Sequence, residues 1–325
     1  MNKTVDSSIV KLTNYRSVWG YIHKNKQATI PQISKDIGLS LPTVTRAVDY
    51  GVAEGIIETD GVIGAERGRK AQVYKLHADY MHFLLIYLDA DVLSYRIHDF
   101  RSRTIGSGNM PVNDKNVLSA LEKIIECSAA SDPLLSIVSI AVSGVVCDGV
   151  VKDSAAFPSL GGMDLSKHIN RKFGMTALVD NDLHAASNVA RIFSDYKNDV
   201  NVLFAFGKRK SGAGIIVNGD VLCGAAGEIG NIPVHTPDIE SERVAFCSER
   251  LQAIIALLNP KRVIIYELDE GMGADKLISL IKEKLKAYLL PEFKLGRDFF
   301  EDCFRGLSIM CELEIKRSLR ERLDF

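Results

Sequence analysis

Two groups of side chains in this sequence have the types and spacing to do chemistry. The first is Asp180-Asn181-Asp182, inside "LVDNDLHAASNVA" (residues 178–190), where apolar residues run into three polar ones and a small-residue helix follows. A carboxylate beside a hydroxyl can take its proton as a general base. It can equally hold the hydroxyl as a strong acceptor, and Asp and Asn also suit a turn and a helix N-cap. The second group is Pro42, Thr43, Thr45 and Arg46, followed by Arg67, Arg69 and Lys70 in a Gly-rich stretch. Thr hydroxyls can bond phosphates or base edges, and Arg can pair with a guanine or a phosphate. Lys208, Arg209 and Lys210 form a third, simpler set of consecutive cations. They could attract an anion, but a solvated turn is the favoured expectation.

The elements around the second group give it a context. In "SSIVKLTNYRSVWGYIHKN" the apolar residues Ile9, Leu12, Tyr15, Val18, Trp19 and Ile22 recur at helical spacing. "ATIPQISKDIG" predicts a shorter helix, with Thr29 and Gln32 as a capping box and Gly38 just past the end. "LSLPTVTRAVDYGVAEG" predicts a third helix with Ser40 as N-cap, Pro42 in its first turn and Val44, Ala47 and Val48 facing inward. This is the helix-turn-helix order. Strand-like Ile56–Glu58 and Gln72–Leu76 then flank the basic tip, which makes a winged helix. The start of the third helix would enter a major groove with Pro42, Thr43, Thr45 and Arg46. Arg67, Arg69 and Lys70 would add salt-dependent phosphate or minor-groove contacts. A helical module for protein contacts is the alternative.

Bulk properties agree. The chain has 325 residues, 46% hydrophobic and 25% charged, as a globular protein of two or three domains should. The net charge of −1 hides an asymmetry: residues 1–80 hold 11 Lys/Arg against 8 Asp/Glu, and the rest hold 29 against 33. That is weak support for a polyanion-binding head on an acidic body. Six cysteines stand singly, without a CxxC, which fits reduced thiols and a cytoplasmic location. Neither a signal peptide nor a membrane-length apolar run is seen. No internal repeat is evident.

From residue 81 strands alternate with helices, the mark of an α/β body. Two strands flank the turn Asp89-Ala90-Asp91, a helix spans about 115–130, and "LLSIVSIAVSGVV" is a buried strand. "MTALVDND" is another strand, "VNVLFAFG" and "GAGIIVNGDVLCG" form a hairpin with Asn218-Gly219 at its turn, and about 305–325 is one helix.

Several stretches together resemble the ROK family, named for repressors, open reading frames and kinases. They are "ERGRKAQVYKL", "AVSGVVCDGVV", "FPSLGGMDLSKHINRKFGMTALVDNDLHAASNVA" and "GAGIIVNGDVLCGAAGEIGN". The resemblance covers roughly residues 10–325 and is to the regulators of the family, which carry a winged helix-turn-helix. It implies a two-lobed, actin-like or hexokinase-type (ribonuclease H-like) α/β body. The expected domains are 1–80, the winged helix; 81–178 plus 305–325, the first lobe; and 179–304, the second. By resemblance Asp182 stands at the position of the kinases' catalytic base, and Asn181, Asp182, Glu228 and Asn231 line a sugar site. Ala156 stands where an Asn is usual, and Ser143, Ser154 and Ser159 could lend hydroxyls.

The family's kinases also need an Asp-x-Gly-Gly-Thr turn and a Thr-Gly-x-Gly loop to bring backbone to the ATP phosphates. Here Asp89-Ala90-Asp91-Val92-Leu93 lacks the glycines and the Thr, and Asp91 adds charge that repels phosphate. Arg209-Lys210-Ser211-Gly212 stands in the second loop's place. With no cradle to align a phosphoryl donor, Asp182 is expected to bind and not to catalyse. The family's structural zinc is expected to be absent: Asn231 replaces its His, and only His235 and Cys247 follow, too few for a tetrahedral site. No catalytic residue, cofactor or metal is therefore expected. The resemblance implies a repressor of sugar uptake or metabolism genes, a homodimer or tetramer on a near-palindromic double-stranded operator, with a sugar or sugar phosphate as effector. The alternatives are a decayed pocket answering to a protein partner, and an active sugar kinase.

Overall fold

The computed structural model describes residues 7–63, 70–193, 199–208, 210–224, 230, 239–269, 271 and 273–323. The chain opens with α1 (Ser7–Asn25), β1 (Ala28–Thr29), α2 (Ile30–Ile37), α3 (Leu41–Ala53), β2 (Ile57–Ile63) and β3 (Ala71–Leu76). Local chemistry sets these boundaries. Gln32 N–H donates to the Thr29 hydroxyl while Thr29 N–H donates to the Gln32 side chain, a reciprocal capping box. Gly38, at φ 71°, ends α2 in the left-handed region that favours glycine. Ser40 caps α3 by accepting from Thr43 N–H. Tyr15, Val18, Trp19 and Ile22 of α1 are buried against Ile33, Val44, Ala47 and Val48; the side chains of Ile9 and Leu12 lie outside the described residues. A Cβ on Gly51 would press on the Ile57 and Trp19 side chains, so the glycine lets them pack closely on α3. The sheet order β1-β3-β2 completes the expected winged-helix arrangement.

The next segment contains β4 (His82–Asp89), β5 (Val92–His98), β6 (Thr104–Pro111), α4 (Val117–Ser131), β7 (Leu135–Val142), β8 (Val145–Cys147), β9 (Val150–Asp153), α5 (Leu165–Phe173) and β10 (Thr176–Asn181). They build a sheet of order β10-β7-β4-β5-β6, with β4 to β6 an antiparallel meander and β7 and β10 parallel to β4 and to each other. α6 (Asp182–Ser187) then leads to β11 (Val200–Phe206), β12 (Ser211–Val217), β13 (Asp220–Val221), α7 (Glu240–Leu258), β14 (Arg262–Glu267), α8 (Ala274–Lys284), β15 (Glu292–Leu295) and α9 (Phe299–Leu323). The second sheet runs β13-β12-β11-β14-β15, again three antiparallel strands followed by two parallel ones. The body therefore repeats one topology twice, although no repeat is visible in its residues.

Several expectations need correction. β10 continues to Asn181, so the expected lobe boundary after residue 178 cuts a strand, and α9 starts at Phe299 instead of about 305. Asn218-Gly219 turns β12 into β13, whereas β11 joins β12 through Gly207–Lys210. β6, α8 and β15 are elements that the sequence patterns do not announce. β6 and β15 are edge strands with few buried side chains, and so they lack an alternating apolar signal.

α6 and α9 pack between the lobes. A Cβ on Gly306 would run into the backbone of Ala185, so the two helices meet backbone to backbone. Phe299, Cys303, Phe304, Leu307, Cys311 and Ile315 make the buried stripe of α9. About midway along it Glu312 lies 3.6 Å from His23 of α1. Arg101, in the turn between β5 and β6, bonds Glu58 of β2 and donates to the Leu76 carbonyl at 2.6 Å. One helix thus runs from the interlobe region to the winged helix.

Candidate effector cleft and nucleic-acid interface

The cleft is organised by the junction of β10 and α6. Asn181 is the N-cap of α6: its Oδ1 accepts from Leu183 N–H at 2.8 Å and His184 N–H at 3.3 Å. Its amide nitrogen donates to the Gly144 carbonyl. The N-cap alternative open in the sequence is thus realised for Asn181. Asp182, one residue on, is 2% exposed.

The partner of Asp182 comes from across the chain. The Lys210 ammonium donates to Asp182 Oδ2 at 2.6 Å and has Tyr87 Oη at 3.0 Å, Asp89 Oδ1 at 3.2 Å and Ser143 Oγ at 3.3 Å as acceptors to share its other two N–H groups. Tyr87 also donates to Asp182 Oδ2 at 3.2 Å. The ammonium lies within 6 Å of the Tyr87 and Phe299 ring centroids, close enough for cation–π attraction. Burial pulls the Lys210 pKa down, but the carboxylates of Asp182 and Asp89 outweigh it and raise it above the usual lysine range. Burial, helped by Asp182, holds the Tyr87 phenol well above its ordinary value. Lys210 is therefore not the solvated turn cation expected from its neighbours. Lys208 is exposed, and Arg209 lies outside the described residues. The signal missed was chemical: a lysine next to a buried strand, with two carboxylates at other strand ends to receive it.

On one side of Lys210 is a cavity of about 280 Å³, lined among others by Tyr87, Asp89, Tyr266, Phe299 and Phe300. The turn after β4 reaches its rim, with Ala90 at φ 48°, a left-handed conformation that usually calls for glycine. Of the serines, only Ser143 touches the Lys210 network. Ser154 is buried, donating to the Ser143 carbonyl, and Ser159 binds Asp114. Glu228, Asn231 and His235 lie outside the described residues, and Cys247 is buried in α7.

A further polar cluster lies at the same junction. His184 Nδ1 is 3.0 Å from Asp180 Oδ1, and the Cys223 sulfur is close to both. Burial lowers the His184 pKa, yet Asp180 and Cys223 outweigh it and set it at about 10.

At the other end of the molecule the start of α3 is exposed. Pro42 and Arg46 are exposed and Thr43 and Thr45 half-buried. The Thr45 hydroxyl donates back to the Leu41 carbonyl at 2.9 Å, and the Thr43 hydroxyl is 2.8 Å from that of Ser40. Leu41 is 52% exposed at the tip, an apolar side chain whose exposure no pattern in the sequence marks. Lys70 is exposed beside β3, while Arg67 and Arg69 lie outside the described residues.

A winged helix followed by two lobes of duplicated ribonuclease H-like topology, with an acid at the interlobe helix start, defines a class of two-lobed, hexokinase-like proteins with an appended head. Residues 109–251 match the model of the ROK family. It is similar to the xylose repressor of Bacillus spizizenii (strain ATCC 23059 / NRRL B-14472 / W23), 22% identical over 75% of this chain and 65% of the relative. It is also similar to the xylose repressor of Lactiplantibacillus pentosus, 21% identical over 87% of this chain and 74% of the relative. Among solved structures it resembles a ROK family transcriptional regulator described as a homolog of the E. coli MLC protein, with TM-score 0.71, 18% identity, and 97% and 98% of the two chains covered. The ROK hexokinase from Thermus thermophilus superposes with TM-score 0.57, 14% identity, and 73% and 100% covered. These likenesses establish the fold of the body. Among the described residues no helix is long and apolar enough to cross a membrane.

Proposed function

We propose that this chain is a cytoplasmic DNA-binding transcriptional regulator, a repressor of sugar uptake or metabolism genes, whose cleft senses a sugar or sugar phosphate without phosphorylating it. The observation that carries the reading is the 2.6 Å pair between Lys210 and Asp182. A general base needs a free lone pair aimed at the substrate hydroxyl, and here one carboxylate oxygen accepts from both an ammonium and a phenol. Among the described residues, the turn Asp89-Ala90-Asp91 offers a carboxylate and a side-chain-bearing backbone where a phosphate cradle would need glycines. The two xylose repressors named above support the regulatory class, and xylose is the first sugar to test.

In this reading the head binds a double-stranded operator through Pro42, Thr43, Thr45 and Arg46, with Leu41 against a thymine methyl. Arg67, Arg69 and Lys70 add phosphate contacts. A homodimer or tetramer would present two heads to a near-palindromic site. Asp182, Asn181, Glu228 and Asn231 contact the effector. Effector binding exchanges partners at Asp182, moves α6, and through the Gly306 contact moves α9 and its Glu312–His23 contact against the head. The effector acts by preferring one of two arrangements. The test is operator binding by fluorescence anisotropy with and without xylose, other sugars and sugar phosphates. A ligand-dependent change in affinity supports the reading, and its loss in Asp182→Ala places the ligand in the cleft. No response to any sugar would favour the second reading, a regulator governed by a protein partner. The commitment of Asn181 and Asp182 to internal partners is the observation that favours that alternative.

A further inference from the structure

Asp180, His184 and Cys223 come from three different places. Asp180 is near the end of β10 in the first sheet, His184 lies in the first turn of α6, and Cys223 follows β13 of the second sheet. Their convergence has a packing cause. A Cβ on Gly212 or Gly214 would strike Leu183 or Ser187, so these glycines let β12 lie directly on α6. Asn218 and Gly219, at φ 53° and 85°, then reverse the chain tightly and return it toward α6. As a result a carboxylate oxygen, an imidazole nitrogen and a sulfur lie within 4.8 Å of one another. His184 is 2% exposed, and its ring orientation is fixed by the 3.0 Å contact to Asp180. Cys223 is exposed, and its thiol interacts with His184 and makes a long 4.0 Å contact to the Val221 carbonyl.

One oxygen, one nitrogen and one sulfur donor suit a borderline-soft cation. Zn²⁺ takes such sets in tetrahedral geometry with bonds of about 2.0–2.3 Å, often leaving the fourth position open. Mg²⁺ and Ca²⁺ require about six or more oxygens and find one carboxylate here. Donors on a tetrahedron of that size stand about 3.3–3.7 Å apart, so rotamer shifts close the site from its present spacing. We propose that Asp180, His184 and Cys223 bind a thiophilic divalent cation, Zn²⁺ fitting best, which pins the β12–β13 hairpin of the second lobe to β10 and α6. The site uses none of the positions implied by the family's zinc loop. It also stands independently of the regulatory reading, because metal binding is measured without DNA or sugar.

The experiment uses the full chain, stripped with chelator and titrated with Co²⁺. One equivalent should produce a thiolate-to-cobalt charge-transfer band and visible bands of tetrahedral intensity, both removed by one equivalent of Zn²⁺. Cys223→Ser, an exposed position, should abolish the charge-transfer band with an unchanged circular dichroism spectrum. Asp180→Asn and His184→Asn should weaken binding by at least the 10–100-fold that loss of an outer-shell partner costs. A Cys127→Ser/Cys147→Ser background should keep the band, which separates the site from the other accessible thiols. Zn²⁺ should also protect Cys223 from a thiol reagent. Absence of a band at one equivalent, or a band that survives Cys223→Ser, would overturn the proposal.

Discussion

The amino ends of α3 and α6 are both helix starts capped by a polar side chain, and they are used in opposite ways. Ser40 caps α3 at the surface, where Pro42 and Arg46 face solvent and Arg46 has no partner among the described residues. Asn181, half-buried, caps α6 beside the buried Asp182, and its own oxygen and nitrogen and that carboxylate all have partners. A helix start offers positive dipole and free N–H groups in either setting. Burial decides the consequence: the exposed start can take a new partner at once, whereas the buried one must first release an old one. That asymmetry suits a reader of DNA at one end and a sensor at the other.

The strongest way to break the comparison is Lys210→Met. Removing the partner of a buried carboxylate costs about 3–5 kcal/mol, so urea unfolding should show a loss of that order. Lys210→Met/Asp182→Asn should recover most of it. A single-variant loss below about 1 kcal/mol would mean that Asp182 is solvated and the two helix starts are alike. Arg46→Ala should weaken operator binding by about 1–3 kcal/mol and leave unfolding unchanged, the reverse of the Lys210 pattern. Asn181→Ala should cost about 1–2 kcal/mol of stability for the lost cap and tether. Smallest of all, Ser40→Gly should cost only a few tenths of a kcal/mol.

The same contrast explains what was legible in the residues. The head is specified locally: Thr29 with Gln32, Gly38 and Ser40 mark boundaries within a few positions, and the structure places caps at all of them. The cleft is specified by contacts across the chain. Lys210 meets Asp89 and Tyr87 over more than a hundred residues, and no periodicity or cap announces such a pairing. Asn181 lies between the two cases, since its capping role was one of two open readings. The topological repeat of the two lobes escaped because strand order survives where residue types do not. In sequence Cys223 is one scattered thiol, and only the hairpin brings it to His184.

The central claim is that the cleft recognises a carbohydrate and cannot modify it, because Lys210 occupies Asp182. The direct measurement is coupled ATP consumption by the full chain across hexoses and pentoses, including xylose, beside an Asp182→Asn control. The account predicts that both proteins consume ATP at the same background rate with every sugar. Sugar-dependent turnover in the native chain that disappears in Asp182→Asn would contradict it.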